Sequence, residues 1–374
     1  MMQSTIEISK PKRQLNIELL RILSMFFIVC NHFLGFGLSL QDYDMNDSNR
    51  FLLWFLRGVC YTGTNIFILI SAYFQCAGHF KSKSILLIIC QVFFYSVVIY
   101  LISVSCGLTD FSYKGLLLSC FPILTSSYWF VTCYVGLYIL APFINKLIYS
   151  LTKSQHKTLI VILFILFSVI PNFFYSSSWL NWGGSTGIVW FIFLYLVAAY
   201  LRNYIDVSKI NSRKLFVSIL VFMLLPLLSK IIIAHSTYYL IGSVVGSSLF
   251  YMNNSIIIFP LSVLLLLGFM KLDISSKRVS RIISFVASSI FSVYLISEHP
   301  ALRECLWAFC ANLVENSTYL IPVYVICISI AIMLICIAID QIRKLIFFLC
   351  AKSGLPRKID IFISRYTNKI YTNL

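Results

Sequence analysis

The first apolar run of the chain, Asn16 to Gly37 (NIELLRILSMFFIVCNHFLGFG), carries an acid, a guanidinium and an imidazole. Charged groups inside a membrane-spanning segment are costly and usually face a bundle interior or a water-filled cavity. Glu18 and Arg21 are three residues apart, so on a helix they pair on one face. Arg21 and His32 are eleven residues apart. At about 100° per residue this is three turns plus about 20°, so His32 returns to the face of Arg21 about 16 Å further along the axis. One stripe of one helix thus presents a cation at one depth and a titratable imidazole at another. A snorkelling Arg and a His bonded to a neighbouring helix would account for the groups singly. Three of them on one face point to a functional stripe.

A second polar cluster ends the stretch SIFSVYLISEHPALRECLW, where Glu298 and His299 precede Pro300. A helix that starts inside after Arg281 brings them to the depth of His32. Two imidazoles and a carboxylate at one level would make an acid–base set, with the carboxylate orienting a ring. The plainer alternative is an interfacial polar cap. Weaker signals lie at the end of TGTNIFILISAYF, where Ser71 and Ala72 are small enough for close helix approach and Tyr73 follows. Lys81 and Lys83 come next, a basic pair suited to phosphates or simply part of the charge bias of an inner loop. His79, His156 and His235 fall in expected loops and read as solvated.

Residues of this kind need elements to hold them at depth. The chain has 374 residues, 60% hydrophobic and 11% charged, with a mean hydropathy of +0.90. A soluble domain carries roughly 25% charged residues, so composition places the chain in the membrane class and excludes a soluble enzyme. A spanning helix needs about 20 apolar residues. Ten candidates run near 15–37, 52–74, 85–104, 126–149, 157–175, 184–201, 214–233, 253–271, 282–300 and 319–340. The Gly- and Ser-rich stretch 234–252 reads as a re-entrant or surface segment. Of the acids, Glu18 and Glu298 are the two that read as lying within spans.

The loops alternate in charge. One side holds Lys10, Lys12 and Arg13, Lys81 and Lys83, Lys146, Lys153 and Lys157, Arg202 to Lys214, and Lys271 to Arg281. The other has only Arg50, Lys114, Lys230 and Arg303 near loops. This positive-inside pattern predicts both termini in the cytoplasm, with 341–374 a basic tail along the anionic inner leaflet. The net charge of +16 is therefore topological, and no nucleic-acid motif accompanies it. Twelve cysteines show no C-x-x-C and no paired Cys/His spacing, which predicts neither a disulfide framework nor a metal site. The first apolar run reads as a retained span, not a cleaved signal. With no internal repeat and no linker, residues 1–374 read as one all-α polytopic domain.

On these residues the chain resembles the integral-membrane acyltransferase-3 family, bacterial enzymes that acylate surface polysaccharides. The family shows an acid, an Arg three later, ten residues and a His. Here these are Glu18, Arg21 and His32, with Glu in place of the commoner Asp. FILISAYF is similar to a Ser-Gly-Tyr pattern, with Ala72 in place of the Gly. YWFVTCYVGLYILAPFINKL and WFIFLYLVAAYLR look like later family segments. SVYLISEHP resembles a Tyr-Leu-Ile-His segment, with Ser297 where many members have His. The resemblance implies transfer of an acetyl or other acyl group from cytoplasmic acetyl-CoA to a hydroxyl of a cell-surface or lipid-linked polysaccharide. It implies a multi-pass protein of a bacterial cytoplasmic membrane that uses no metal. His32 would be the general base or a transient acyl carrier, with Glu298 or His299 orienting it. Arg21, Lys81, Lys83, Ser71 and Tyr73 would meet the CoA, and Glu18 would fix Arg21. The rival reading is a glycolipid transporter or flippase, which the lack of internal repeats disfavours.

Overall fold

A computed structural model of the protein describes residues 14–40, 48–78, 82–174, 182–314 and 320–352, with no strand among them. Eight helical segments are long and apolar enough to span a membrane: Leu15–Gly37, Arg50–Gln75, Lys83–Ser105, Trp129–Ser150, Lys153–Phe174, Ser212–Ile241, Lys277–Ser297 and Ile321–Cys350. Each coincides with an expected span. The remaining two expected spans, 184–201 and 253–271, correspond to the shorter apolar helices Ile188–Tyr204 and Ile258–Met270. Helices satisfy every backbone donor and acceptor internally, which lipid demands.

The helices are α1 (Leu15–His32), α2 (Ser48–Cys60), α3 (Thr62–Gln75), α4 (Ser82–Ser105), α5 (Tyr113–Cys120), α6 (Trp129–Ser150), α7 (Lys153–Phe164) and α8 (Ile170–Phe174). They continue as α9 (Ile188–Tyr204), α10 (Ser212–Ile241), α11 (Ile258–Met270), α12 (Lys277–Ala287), α13 (Ile290–Ser297), α14 (Arg303–Asn312) and α15 (Ile321–Lys352). A π turn, Phe33–Gly37, extends α1, and another, Ile165–Val169, joins α7 to α8. The second span is broken at Tyr61 between α2 and α3, and the ninth at Ser288–Ser289 between α12 and α13.

Helices α1, α3, α9 and α11 form the centre, and α10 lies at the periphery with most of its side chains exposed. Gly63 lets α3 close on α1: a Cβ there would stand 2.7 Å from the Ser24 carbonyl oxygen and 2.9 Å from Ile28 Cγ1. Polar side chains fasten the centre. Asn65 on α3 donates to the Asn253 carbonyl (2.7 Å) and the Ser262 hydroxyl (3.3 Å) and accepts from Trp190 Nε1 (2.9 Å). In lipid such bonds join helices that apolar contact alone leaves free to slide.

The structure corrects several expectations about charge. Asp340 is a third buried acid. It lies inside α15, with no exposure, and accepts from Tyr95 Oη (2.7 Å) and Arg343 Nε (2.7 Å), with Lys344 Nζ at 3.5 Å. Lys230 is not near a loop: it is mid-helix in α10 and 4% exposed. Arg57, in the last turn of α2, is also buried. Lys230 Nζ stands 3.5 Å from the Trp54 ring centroid and Arg57 Cζ 5.3 Å from it. A desolvated cation–π contact contributes about 2 kcal/mol, less than the several kcal/mol an ion loses on burial. His156 is not solvated but fully buried on α7, its Nε2 3.0 Å from the Leu196 carbonyl. His235 is exposed but helical, and His79 lies outside the described residues. In the stretch 234–252, α10 continues to Ile241, ends at Gly242 (φ 72°) and gives way to turns, with most side chains between His235 and Gly246 exposed, as in a surface segment. Likewise α15 runs on through Lys352, so 341–352 is helical, while 353–374 lies outside the described residues.

Candidate active site

His32 is the last residue of α1, where the helix widens into the π turn. Such turns recur at functional sites, where they re-aim a side chain. Glu298 is the first residue past α13, its backbone N–H still bonded to the Tyr294 carbonyl (3.0 Å). Its carboxylate reaches across to α1, with Oε1 2.9 Å from His32 Nδ1. The approach is within ion-pair distance, although Nδ1 has no aligned hydrogen bond. Trp307 on α14 donates from Nε1 to the same Oε1 (3.2 Å). Its indole stacks on Phe33 (6.0 Å, 16°) and meets the His32 ring edge-on at 6.4 Å. Gly37 permits this packing, because a Cβ there would stand 2.6 Å from Phe33 Cδ2 and 3.2 Å from the Trp307 carbonyl oxygen. The His32 side chain is 16% exposed and that of Glu298 8%, so the pair is sheltered yet reachable. Phe36, Gly37 and Trp307 border a cavity of about 530 Å³ that is also lined by Arg303, Glu304 and Asn312.

At the other end of α1, Arg21 Nη1 holds both oxygens of Glu18, at 2.9 and 2.8 Å. Asn16 anchors this end to α11 through the Phe269 carbonyl (3.0 Å). A second cavity, of about 420 Å³, is lined here by Gln14, Leu15, Asn16, Tyr73, Met270 and Asp273. The Arg202 guanidinium lies over the Tyr73 ring at 4.8 Å. Ser71 is half-buried and Lys83 exposed, and neither lines the cavity; Lys81 lies outside the described residues. His299 is held by backbone groups. Its Nε2 donates to the Ser96 carbonyl (3.0 Å) and its Nδ1 accepts from the Ala301 N–H (3.1 Å). Both nitrogens are committed, and the residue ties the α13–α14 corner to α4. The expected set of two imidazoles and a carboxylate becomes one imidazole, one carboxylate and one indole.

The family model described as an acyltransferase domain, that of the acyltransferase-3 family, matches residues 14–341. The chain belongs to that family. No curated protein and no solved structure matches it significantly. The match begins just ahead of α1 and ends within α15, so both cavities and the His32–Glu298 contact of this acyltransferase fall inside the family's domain. Sequence reasoning missed Trp307, Arg57 and Lys230. Nothing distinguishes Trp307 in sequence from the five other tryptophans. Arg57 and Lys230 were findable by the rule that singled out Arg21, since each interrupts an apolar run (LLWFLRGVC and PLLSKIII).

Proposed function

We propose that this acyltransferase moves an acetyl group from acetyl-CoA, on the cytoplasmic side of a bacterial membrane, to a hydroxyl of a cell-surface or lipid-linked polysaccharide on the other side. The observation that carries this reading is the 2.9 Å approach of Glu298 to His32 Nδ1 beside an open cavity. A carboxylate at Nδ1 keeps that nitrogen protonated and leaves the lone pair on Nε2. Nε2 takes the acceptor's hydroxyl proton as its oxygen attacks the thioester carbonyl. The C–S bond breaks, and the departing CoA thiolate recovers the proton from His32. In the other order Nε2 itself attacks and expels the CoA thiolate; the sugar hydroxyl then opens the acetyl-imidazolium, and its proton ends on the thiolate as His32 returns to neutral. Glu298 stabilises the positively charged ring in both.

The donor enters from the Arg21 end. Because Glu18 already matches the charge of Arg21, the CoA phosphates need further cations. Arg202, over Tyr73, and the exposed Lys277, Arg278 and Arg281 of α12, which packs on α1, supply them. The exposed Lys83 adds a further cation. The carbohydrate approaches the cavity at the His32 end, where Phe36 and Trp307 offer ring faces. The deciding experiment uses purified full-length protein, labelled acetyl-CoA and the host's surface glycan. The wild type labels the glycan, and His32→Ala reduces labelling at least 100-fold at equal folded protein. Unchanged labelling in His32→Ala overturns the reading. A flippase would leave acetyl-CoA unconsumed.

A further inference from the structure

The other well-buried ionised side chains of the described residues have partners: Asp340 pairs with Arg343 and Lys344, and Glu298 lies against the His32 ring and accepts from Trp307. Arg57 and Lys230 differ. They are 8% and 4% exposed, and no ion pair among the described residues includes either. Their hydrogen-bonding and ring neighbours are neutral, and a further cation, Arg50, lines the cleft beside Lys230. Lys230 Nζ donates to the hydroxyls of Ser247 and Ser248, both at 3.1 Å. Arg57 Cζ faces the rings of Trp54 and Tyr61, and its Nε is buried with no hydrogen-bond partner. The two cations share the Trp54 ring, so they also repel each other. An orphaned guanidinium nitrogen beside a second buried cation is the arrangement of a site whose anion is not part of the chain.

Its place in the fold is informative. Arg57 Nη2 lies 3.4 Å from where a Cβ on Gly35 would stand. The guanidinium therefore rests on the π turn that starts one residue after His32. We propose that Arg57 and Lys230 form an oxyanion site that binds a phosphate or carboxylate of the acceptor and so holds its hydroxyl near His32. The planar guanidinium fork matches either oxyanion, and the Lys230 ammonium with the two serine hydroxyls completes the donor set. The cleft beside Lys230, between Trp54 and Leu227, is narrow at rest, so the anion enters as the long Lys and Arg side chains part. Assigning the anion to the acceptor rests on the acetyl-transfer reading. The anion site itself does not.

The test separates the two. Full-length protein in a non-ionic detergent is melted with inorganic phosphate or dodecyl phosphate, against sodium chloride at equal ionic strength. The expected result is a saturable rise in Tm beyond that of chloride. It persists in His32→Ala, weakens about tenfold in midpoint in Arg57→Lys, and is lost in Arg57→Gln and Lys230→Met. No saturable rise in the wild type overturns the site, as does an undiminished rise in the well-folded Arg57→Lys. A response to dodecyl phosphate and not to inorganic phosphate assigns the site to a lipid-borne phosphate. In the transfer assay, inorganic phosphate should raise the acceptor's KM without lowering kcat. Inhibition of kcat alone overturns the acceptor assignment. Binding without any transfer leaves the oxyanion site standing and removes the enzymatic reading above it.

Discussion

A carboxylate against one imidazole nitrogen fixes which nitrogen is free, and a donor on that carboxylate fixes where it points. On the proposed mechanism Glu298 and Trp307 divide these tasks at His32, and the division is measurable. Glu298→Gln keeps the shape and an oxygen for the indole but removes the charge that favours the protonated ring. We expect a 10- to 100-fold fall in kcat for acetyl transfer at an unchanged Tm, with acceptor KM little moved. Trp307→Phe keeps the stack on Phe33 and loses only the N–H to Glu298. One neutral-to-charged hydrogen bond is worth about 1.5–3 kcal/mol, so a fall of about 100-fold is the expected ceiling. Equal kcat in wild type and both variants would remove these residues from the site. Glu298 was visible in sequence because an acid in an apolar run is costly enough to need a reason. Trp307 was not, because an indole is at home anywhere in such a protein, and only the α13–α14 turn brings it back to Glu298. His299 shows the converse: a titratable residue two positions from the right place, whose nitrogens are spent on backbone.

Element geometry depends on two close approaches along α1, and they differ in consequence. Gly63 faces the backbone of α1 at Ser24, in the centre of the bundle. Gly37 faces Phe33 and the backbone of Trp307, at the site. Overpacking a well-filled contact costs about 1–3 kcal/mol. Gly63→Ala should therefore lower the Tm and the membrane yield while leaving kcat per folded molecule near wild type. Gly37→Ala should do the reverse, shifting Trp307 from Glu298 and lowering kcat with a modest change in Tm. The same loss of both quantities in both variants would contradict the separation. The helices themselves were legible because each long span must carry its own run of apolar residues. The breaks at Tyr61 and at Ser288–Ser289 were not, since neither contains Pro or Gly and both are set by packing against neighbouring helices. The π turn after His32 was equally invisible, although the Gly-Phe-Gly that permits it stood in the opening run.

Across the whole molecule, charge does two jobs, and they are separable by depth. Buried charge locks helices together. Asp340 joins α4 to α15 through Tyr95, and removing one partner of a buried pair costs about 3–5 kcal/mol. Asp340→Asn should lower the Tm by several degrees without a specific effect on transfer, because Asp340 lines neither the cavity at Trp307 nor the one at Asn16. Surface charge, by contrast, sets orientation. The positive-inside pattern of the basic loops is expected to put the Arg21 end of α1 inside and the His32 end and α14 outside. Cys106 and Cys305 are exposed on the side expected to face outward. In a variant with every other cysteine replaced by serine, either thiol should react with a membrane-impermeant maleimide on intact cells. Lys209→Cys in a cysteine-free background should react only after permeabilisation. The opposite pattern would place the His32 cavity on the cytoplasmic side, where donor and acceptor would meet without crossing the bilayer. The stripe from Arg21 to His32 would then need no role in carrying an acyl group between two depths.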